Sequence, residues 1–246
     1  MNPARHFALI PAAGAGTRLG AALPKQYLRL AGKPMLRHAL ETFLSVPAIA
    51  HTFVVVSPED DYIDAALAGL RADQDVRLSV LRVGGATRQQ TVANGLAALS
   101  THLPAQLSEP VQAHDWILVH DAARPGLTAD LVCSLIDALD DDALGGLLAL
   151  PLVDTIKHAS SEASGAQRVL ASPPRERLWA AQTPQMFRYA LLARALDQEG
   201  QFTDESSAVE ALGLEPRLIP GSPRNFKVTR PEDLALAEWY LKGTHE

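Results

Sequence analysis

Five short apolar runs, spaced by segments of helical periodicity, restrict this chain to a narrow set of architectures. The runs are Phe7–Ile10, Thr52–Ser57, Val76–Leu81, Trp116–His120 and Leu144–Leu150. Between them, helical spacing occupies Pro34–Val46, Pro58–Leu70, Thr87–Leu99 and Thr128–Leu139. Strands that are apolar along their whole length are covered on both faces, and strands alternating with helices build a parallel sheet. The expectation is an α/β fold with a mostly parallel central sheet covered by helices. Such sheets bind ligands at the carboxyl ends of their strands. The residues that follow each run are therefore where chemistry is sought.

The alternation stops near Pro151. Residues 153–178 are polar, rich in Ser and Ala, and carry Gly165 and the Pro173-Pro174 pair. Insertions of this length inside a compact domain are functional or mobile. Short alternations at Thr155–His158 and Gln167–Leu170 suit a hairpin projecting from the body. Beyond it, helices are predicted near Pro184–Leu196, Asp204–Leu212 and Pro231–Leu241, the last with Glu232 and Asp233 placed to suit the helix dipole. No internal repeat or long low-complexity tract divides the chain, so residues 1–246 are read as one domain with the 153–178 segment inserted in it.

Composition narrows the function classes. The 246 residues are 47% apolar and 20% charged, ordinary values for a globular protein. No run approaches the roughly 20 apolar residues that span a bilayer, and the N-terminal "MNPARHFALI" is too short in its apolar part for a secretory leader. One cysteine, Cys133, excludes an internal disulfide and a Cys-built zinc site; in its apolar setting it reads as a structural thiol. A cytoplasmic location without a membrane partner follows as the expectation. The net charge of −6 speaks against a nucleic-acid surface, which needs a basic face. A small anionic ligand needs only local cations.

Such cations follow the first run. "PAAGAGTRLGAALPKQYL" (11–28) puts Gly14, Gly16, Arg18, Gly20 and Lys25 just past a strand. A glycine-rich strand-to-helix loop lets backbone N–H groups close on an anion, aided by the helix start. It is no Walker A loop, because Gly16 is followed by Thr-Arg rather than Lys-Ser/Thr. The third glycine of the dinucleotide pattern falls one residue late, and Glu41 stands mid-helix rather than where a ribose-binding acid belongs. A nicotinamide-dependent reductase is thereby disfavoured. Arg18 and Lys25 suit phosphoryl or nucleotidyl transfer, where cations offset the charge on phosphorus and departing pyrophosphate. Taken alone, the same stretch also suits a glycine turn with solvated cations.

The stretch resembles the signature of the 2-C-methyl-D-erythritol 4-phosphate cytidylyltransferases of the non-mevalonate isoprenoid pathway. Further blocks similar to that family follow in order. They are Gly84–Arg88 with Thr91–Leu96, "VHDAARP" (119–125), Pro151–Lys157, "LWAAQTPQMF" (178–187), "TDESSAVE" (203–210) and "NFKVTRPEDLALAE" (225–238). The resemblance implies a Rossmann-like nucleotidyltransferase with a projecting β-arm at 153–178. It implies a reaction joining CTP to a sugar-alcohol phosphate with release of pyrophosphate, aided by Mg²⁺ or another divalent cation. It also implies a homodimer made through the arm. A cytidylyltransferase for another polyol phosphate, such as ribitol 5-phosphate, shares related blocks. A non-catalytic nucleotide sensor would be expected to lack one of the loop cations, and both are present. At 246 residues there is no room for the cyclising enzyme of the next step, to which some relatives are fused.

The nucleophile of that reaction is a phosphate oxygen, already largely ionised at neutral pH because its second pKa is about 6. No general base is required, so the lack of a Ser-His-Asp or Cys-His set is consistent. The resemblance assigns Arg18, Lys25, Arg175 and Lys227 as the catalytic cations. It assigns Ala12, Ala13, Gly14, Gly16, Gly85, Ala86, Arg88, Thr91 and Asp121 to CTP. The family has Ser where Thr91 stands and often an acid at Gln90, so the hydroxyl is retained with an added methyl. Asp121, Arg124, Thr155, Arg175, Thr183, Thr203 and Lys227 are assigned to the second substrate. Asp121, just after a strand, suits a Mg²⁺ held mainly by phosphates; alone it also reads as a turn former or cap. Gly84-Gly85 alone reads as an ordinary turn, and Arg175 and Lys227 alone as surface charges. His120 is read as structural.

Overall fold

A computed structural model describes residues 3–14, 23–70, 77–160 and 167–243. Its main sheet is built from β1 (His6–Pro11), β4 (Ile49–Val55), β5 (Leu78–Leu81), β6 (Trp116–Val119), β7 (Gly145–Pro151), β10 (Trp179–Arg188) and β11 (Arg217–Pro220). The strand order is β11-β7-β10-β6-β1-β4-β5. β1, β4, β5 and β6 pair in parallel, as do β7 and β11, while β10 runs antiparallel between β6 and β7.

Each apolar run divides its side chains between two cores, because successive residues of a strand point to opposite faces. From β1, Ala8 and Ile10 join one core, where they meet Leu36, Leu40 and Phe43 of α1 (Met35–Ser45) and Val132, Leu135 and Leu139 of α4 (Ala129–Leu139). Phe7 and Leu9 enter the other, against Val92, Leu96 and Leu99 of α3 (Arg88–Leu99), Leu192 and Ala195 of α5 (Tyr189–Leu196), and Ala208 and Val209 of α6 (Glu205–Glu210). Three helices start on side-chain caps. Thr87 accepts from the Gln90 N–H, Thr128 from Leu131, and Asp204 from Ser207, whose hydroxyl returns the contact. These caps satisfy otherwise orphaned amides.

Three elements differ from the sequence expectation. The helix predicted over Pro184–Leu196 begins only at Tyr189, and Pro184 lies inside β10. Its missing N–H falls within the register irregularity between Ala181 and Gln185, where the ladder does not require it. The segment Pro58–Leu70 holds a single helical turn, α2 (Ile63–Ala66). The edge strand β11 has a mixed polar sequence, RLIP, too short to announce itself. The expected hairpin exists, with each strand beginning two or three residues later along the chain than the expected run. β8 (His158–Ala159) pairs antiparallel with β9 (Val169–Ala171). A second small pair, β2 (Arg29–Leu30) and β3 (Lys33–Pro34), precedes α1. The last helix, α7 (Pro231–Lys242), packs on Leu30, Met35, Ala123 and Val228.

Candidate active site

The carboxyl ends of β1, β5 and β6 open onto a cavity of about 480 Å³. From β1 the chain continues through Ala12, Ala13 and Gly14, which line it. Their backbone is fixed from below. The Ala12 N–H donates to the Val55 carbonyl at 2.7 Å, and the buried Gln26 carboxamide donates to the carbonyls of Ala12 at 2.8 Å and Gly14 at 3.0 Å. Gln26 sits in a short 3₁₀ turn, Lys25–Tyr27. The Tyr27 hydroxyl anchors that turn by donating to Asp60 at 2.6 Å. Lys25, a cavity residue, contacts the Val228 carbonyl at 3.3 Å.

The second wall comes from the turn between β5 and α3. The Gly84 N–H donates to the Val56 carbonyl at 2.8 Å, holding this turn against the first loop. A Cβ at Gly84 would stand 2.3 Å from the Ala13 methyl carbon, so the two loops touch only because the side chain is missing. The Gly85 N–H donates to the Thr91 hydroxyl at 3.2 Å, and that hydroxyl donates to the Thr87 carbonyl at 2.8 Å. The Ala86 N–H donates to Gln90 Oε1 at 3.1 Å. Thr91 and Gln90 therefore shape the turn from inside the helix.

The third wall follows β6. Asp121 is buried and lies among three cations. Arg88 Nε donates to Oδ1 at 2.8 Å, Lys227 Nζ to Oδ2 at 2.9 Å, and Arg124 Nε lies 3.6 Å from Oδ2. Burial works to raise its carboxyl, but Arg88, Lys227 and Arg124 outweigh it and hold Asp121 well below the usual carboxylate range. Arg88 also grips Glu205, 1% exposed, with Nη1 at 2.7 Å and Nη2 at 2.9 Å. Arg124 donates to the carbonyls of Asn225 at 2.8 Å and Ala181 at 3.3 Å. Asn225 Nδ2 donates to the Thr183 carbonyl at 2.7 Å, and the Val228 N–H to Ala123 at 2.8 Å. This stitching places Lys227 opposite Asp121.

Behind Asp121, the Thr183 hydroxyl accepts from the Asp121 N–H at 3.1 Å and contacts His120 Nδ1 at 3.0 Å. His120 Nε2 faces the Arg124 carbonyl at 3.3 Å, which only accepts, so Nε2 carries the proton and Nδ1 accepts from Thr183. Burial pushes the imidazole down to about 4. His120 is a neutral structural residue, as its sequence context suggested, and Thr183 reaches the site through Asp121.

One cavity thus unites Ala12, Ala13, Gly14, Lys25, Gly85, Ala86, Arg88, Thr91, Asp121 and Lys227. Arg124 stands behind it. Thr155, Arg175 and Thr203 are exposed on segments outside its lining. Arg18 and Gly16 lie outside the described residues. Sequence reasoning passed over Gln26 and Glu205. Gln26 directly follows Lys25, which was already singled out, and Glu205 follows the N-cap Asp204 in an acidic pair that reads as helix-start chemistry. Lys25, Arg88, Arg124 and Lys227 outnumber Asp121 and Glu205 around the site, which favours a polyanion.

Among the described residues no three His, Cys, Asp or Glu side chains form a metal cluster. A divalent cation fits here only if the ligand supplies most of the coordination. Asp121 faces the cavity, and each of its oxygens carries one short cation contact out of about two lone-pair sites. One carboxylate in reach matches Mg²⁺, which commonly takes one or two alongside phosphates.

A family model described as 2-C-methyl-D-erythritol 4-phosphate cytidylyltransferase matches residues 6–243. Proteins of that name from Nitrosospira multiformis and Laribacter hongkongensis are 50% and 52% identical to this chain over 239 and 241 residues. These alignments cover 96% of the chain in both cases, and 97% and 96% of the relatives. A crystal structure of 4-diphosphocytidyl-2C-methyl-D-erythritol synthase superposes with a TM-score of 0.81 at 40% identity, covering 98% of this chain and all of that one. The cytidylyltransferase of Thermus thermophilus gives a TM-score of 0.71 at 30% identity, with 98% and 100% coverage.

Proposed function

Because the chain belongs to the 2-C-methyl-D-erythritol 4-phosphate cytidylyltransferase family, we propose that it joins CTP to 2-C-methyl-D-erythritol 4-phosphate, making 4-diphosphocytidyl-2-C-methyl-D-erythritol and pyrophosphate for isoprenoid precursor synthesis. The observation that carries this reading is the cation-rich cavity at the carboxyl ends of β1, β5 and β6, lined by Ala12, Ala13 and Gly14 of the first loop and by Lys25, Arg88 and Lys227.

The phosphate oxygen of the sugar alcohol bonds to the α-phosphorus of CTP, and the bond to the β-phosphate breaks. With an ionised nucleophile, the protein's task is to bring two anions together in line and to hold charge on the departing pyrophosphate. Lys25, which lines the cavity with residues 12–14, serves the triphosphate, together with Arg18. Gly85 and Ala86 face the base, in a turn set by Thr91. Lys227 and Arg124 serve the second phosphate and its hydroxyls, with Asp121 as the anion that keeps both cations aimed. Arg88 braces Asp121 from the nucleotide side. A bound Mg²⁺ would neutralise triphosphate charge, and Asp121 is the described residue placed to join its coordination.

The chain acts as one nucleotidyltransferase domain whose 153–178 arm pairs two copies. Supporting this are the exposed apolar residues Val153, Val169 and Leu170, 76%, 64% and 67% accessible, with Trp179 at the arm's foot. A two-stranded hairpin is marginal alone, so a second copy is the natural source of its stability. Thr155 and Arg175, at the arm's two ends, then serve the neighbouring site, and Thr203 completes the sugar-phosphate contacts. A cytoplasmic location fits a chain with a single cysteine. The test is pyrophosphate release from CTP with 2-C-methyl-D-erythritol 4-phosphate against ribitol 5-phosphate. Preference for ribitol 5-phosphate would overturn the substrate assignment.

A further inference from the structure

The first turn of α3 holds more than the nucleotide turn. Thr87, Gln90 and Thr91 shape residues 85–86, while Arg88 and Gln89 point the other way, towards the segment leading into α6. Arg88 takes Glu205 with both terminal nitrogens. Gln89 takes the backbone three and five residues earlier. Its Nε2 donates to the Gly200 carbonyl at 3.2 Å, and its Oε1 accepts from the Phe202 N–H at 3.0 Å. A carboxamide bonded to a carbonyl and an N–H two residues apart mimics a strand partner and fixes that stretch of backbone. Gly200 has a φ of +144°, and Thr203 bonds locally, its N–H and hydroxyl both donating to Ser207 Oγ.

We infer that Gln89 is a positioning residue for the second substrate: by clamping residues 200–202 to α3 it sets where the Thr203 hydroxyl stands relative to the cavity. The same helix start then links the cavity turn at residues 85–86, through Thr91, to the segment that carries Thr203, through Gln89. Gln89 itself is partly exposed and absent from the cavity lining, so it acts through Thr203 and not on reacting atoms. The inference rests on the cytidylyltransferase reading for its substrate, and on geometry alone for the clamp.

Two readouts separate these. Steady-state kinetics of Gln89→Ala are expected to show KM for 2-C-methyl-D-erythritol 4-phosphate raised about tenfold, as for loss of two ordinary hydrogen bonds. The kcat value and KM for CTP should stay within about twofold. Gln89→Glu keeps the acceptor for Phe202 but loses the donor for Gly200, so its KM should fall between those of wild type and Gln89→Ala. Amide hydrogen exchange without substrate is expected to show Phe202 less protected in Gln89→Ala. Equal protection of Phe202 in wild type and variant overturns the clamp. Faster exchange with an unchanged KM, or an equal loss in kcat and both KM values, overturns the positioning role. Failure of the wild-type enzyme to release pyrophosphate with either polyol phosphate removes the functional reading, while the exchange result still decides the clamp.

Discussion

Gly84→Ala is the sharpest test of how the cavity's two loops are assembled. Gly84 has no positive φ, so its requirement is not conformational; it is the space taken by a methyl group. That carbon would meet Ala13 Cβ at 2.3 Å, the Val56 oxygen at 2.7 Å and the Val56 carbonyl carbon at 2.9 Å, where ordinary contact begins near 3.4 Å. The shortfall against Ala13 is 3.4 − 2.3, or 1.1 Å. None of these neighbours is the free end of a side chain that can swing aside, and the Val56 carbonyl also receives the Gly84 N–H. The two loops must therefore separate by about 1 Å. Overpacking of this kind costs about 1–3 kcal/mol, and a displacement of that size in a catalytic site can cost about 10²-fold. Urea unfolding should show a lower midpoint with an unchanged slope, and kcat/KM for CTP should fall about 10²-fold. Gly14→Ala is the contrast, since nothing lies within 4 Å of the added carbon; its unfolding midpoint should match wild type. A Gly84→Ala enzyme with wild-type midpoint and wild-type kcat/KM would refute the picture of two loops in forced contact.

Lys25→Ala should lower kcat by about 10²-fold or more with little change in KM for CTP, if its contact strengthens in the transition state; a rise in KM alone would make it an ordinary phosphate binder. Gln26→Ala should weaken CTP binding, read by calorimetry, because the carbonyls of Ala12 and Gly14 lose their shared donor. His51 and His120 are both pushed by burial down to about 4 from an unfolded value near 6.5. Between those values the unfolded chain binds protons that the folded one does not, so stability should fall as pH drops from about 6.5 to 4, and the depressed Asp121 carboxyl should extend the fall at lower pH; a urea midpoint flat from about pH 6.5 to 4 would contradict it. Mixing inactive Lys25→Ala and Arg175→Ala chains should restore partial activity if Arg175 serves the partner's site, and none if it serves its own.

The parallel sheet was legible because β1, β4 and β6 are apolar on both faces, a pattern with few other outcomes. The cavity residues that come just after β1, β5 and β6 were legible for the same reason, whereas Lys227, in the loop before α7, was reached only through the resemblance of residues 225–238. β10 was obscured by Pro184 and two glutamines. Gln182 and Gln185 look like surface residues but are buried, with Gln182 bonded to Ser222 and Gln185 to Asp204 and Ser206. Long-range pairing decided this segment, and no local periodicity reports such pairing. Glu205 was hidden for a related reason. Its meaning depends on Arg88, 117 positions away, which only the fold brings near.

The antiparallel placement of β10 has a consequence for how this chain can change. β7 ends at Pro151 and β10 begins at Trp179, and the two are register partners. Everything between them is one excursion that departs from and returns to a single rung of the ladder, so its length is decoupled from the sheet. Closing a longer excursion costs only about 0.6 kcal/mol per doubling. Residues can be gained or lost between those feet while the seven strands keep their register. A chain with Pro151 joined to Trp179 by a short turn should keep the sheet, and if the arm pairs two copies as proposed, that chain should fold as a monomer.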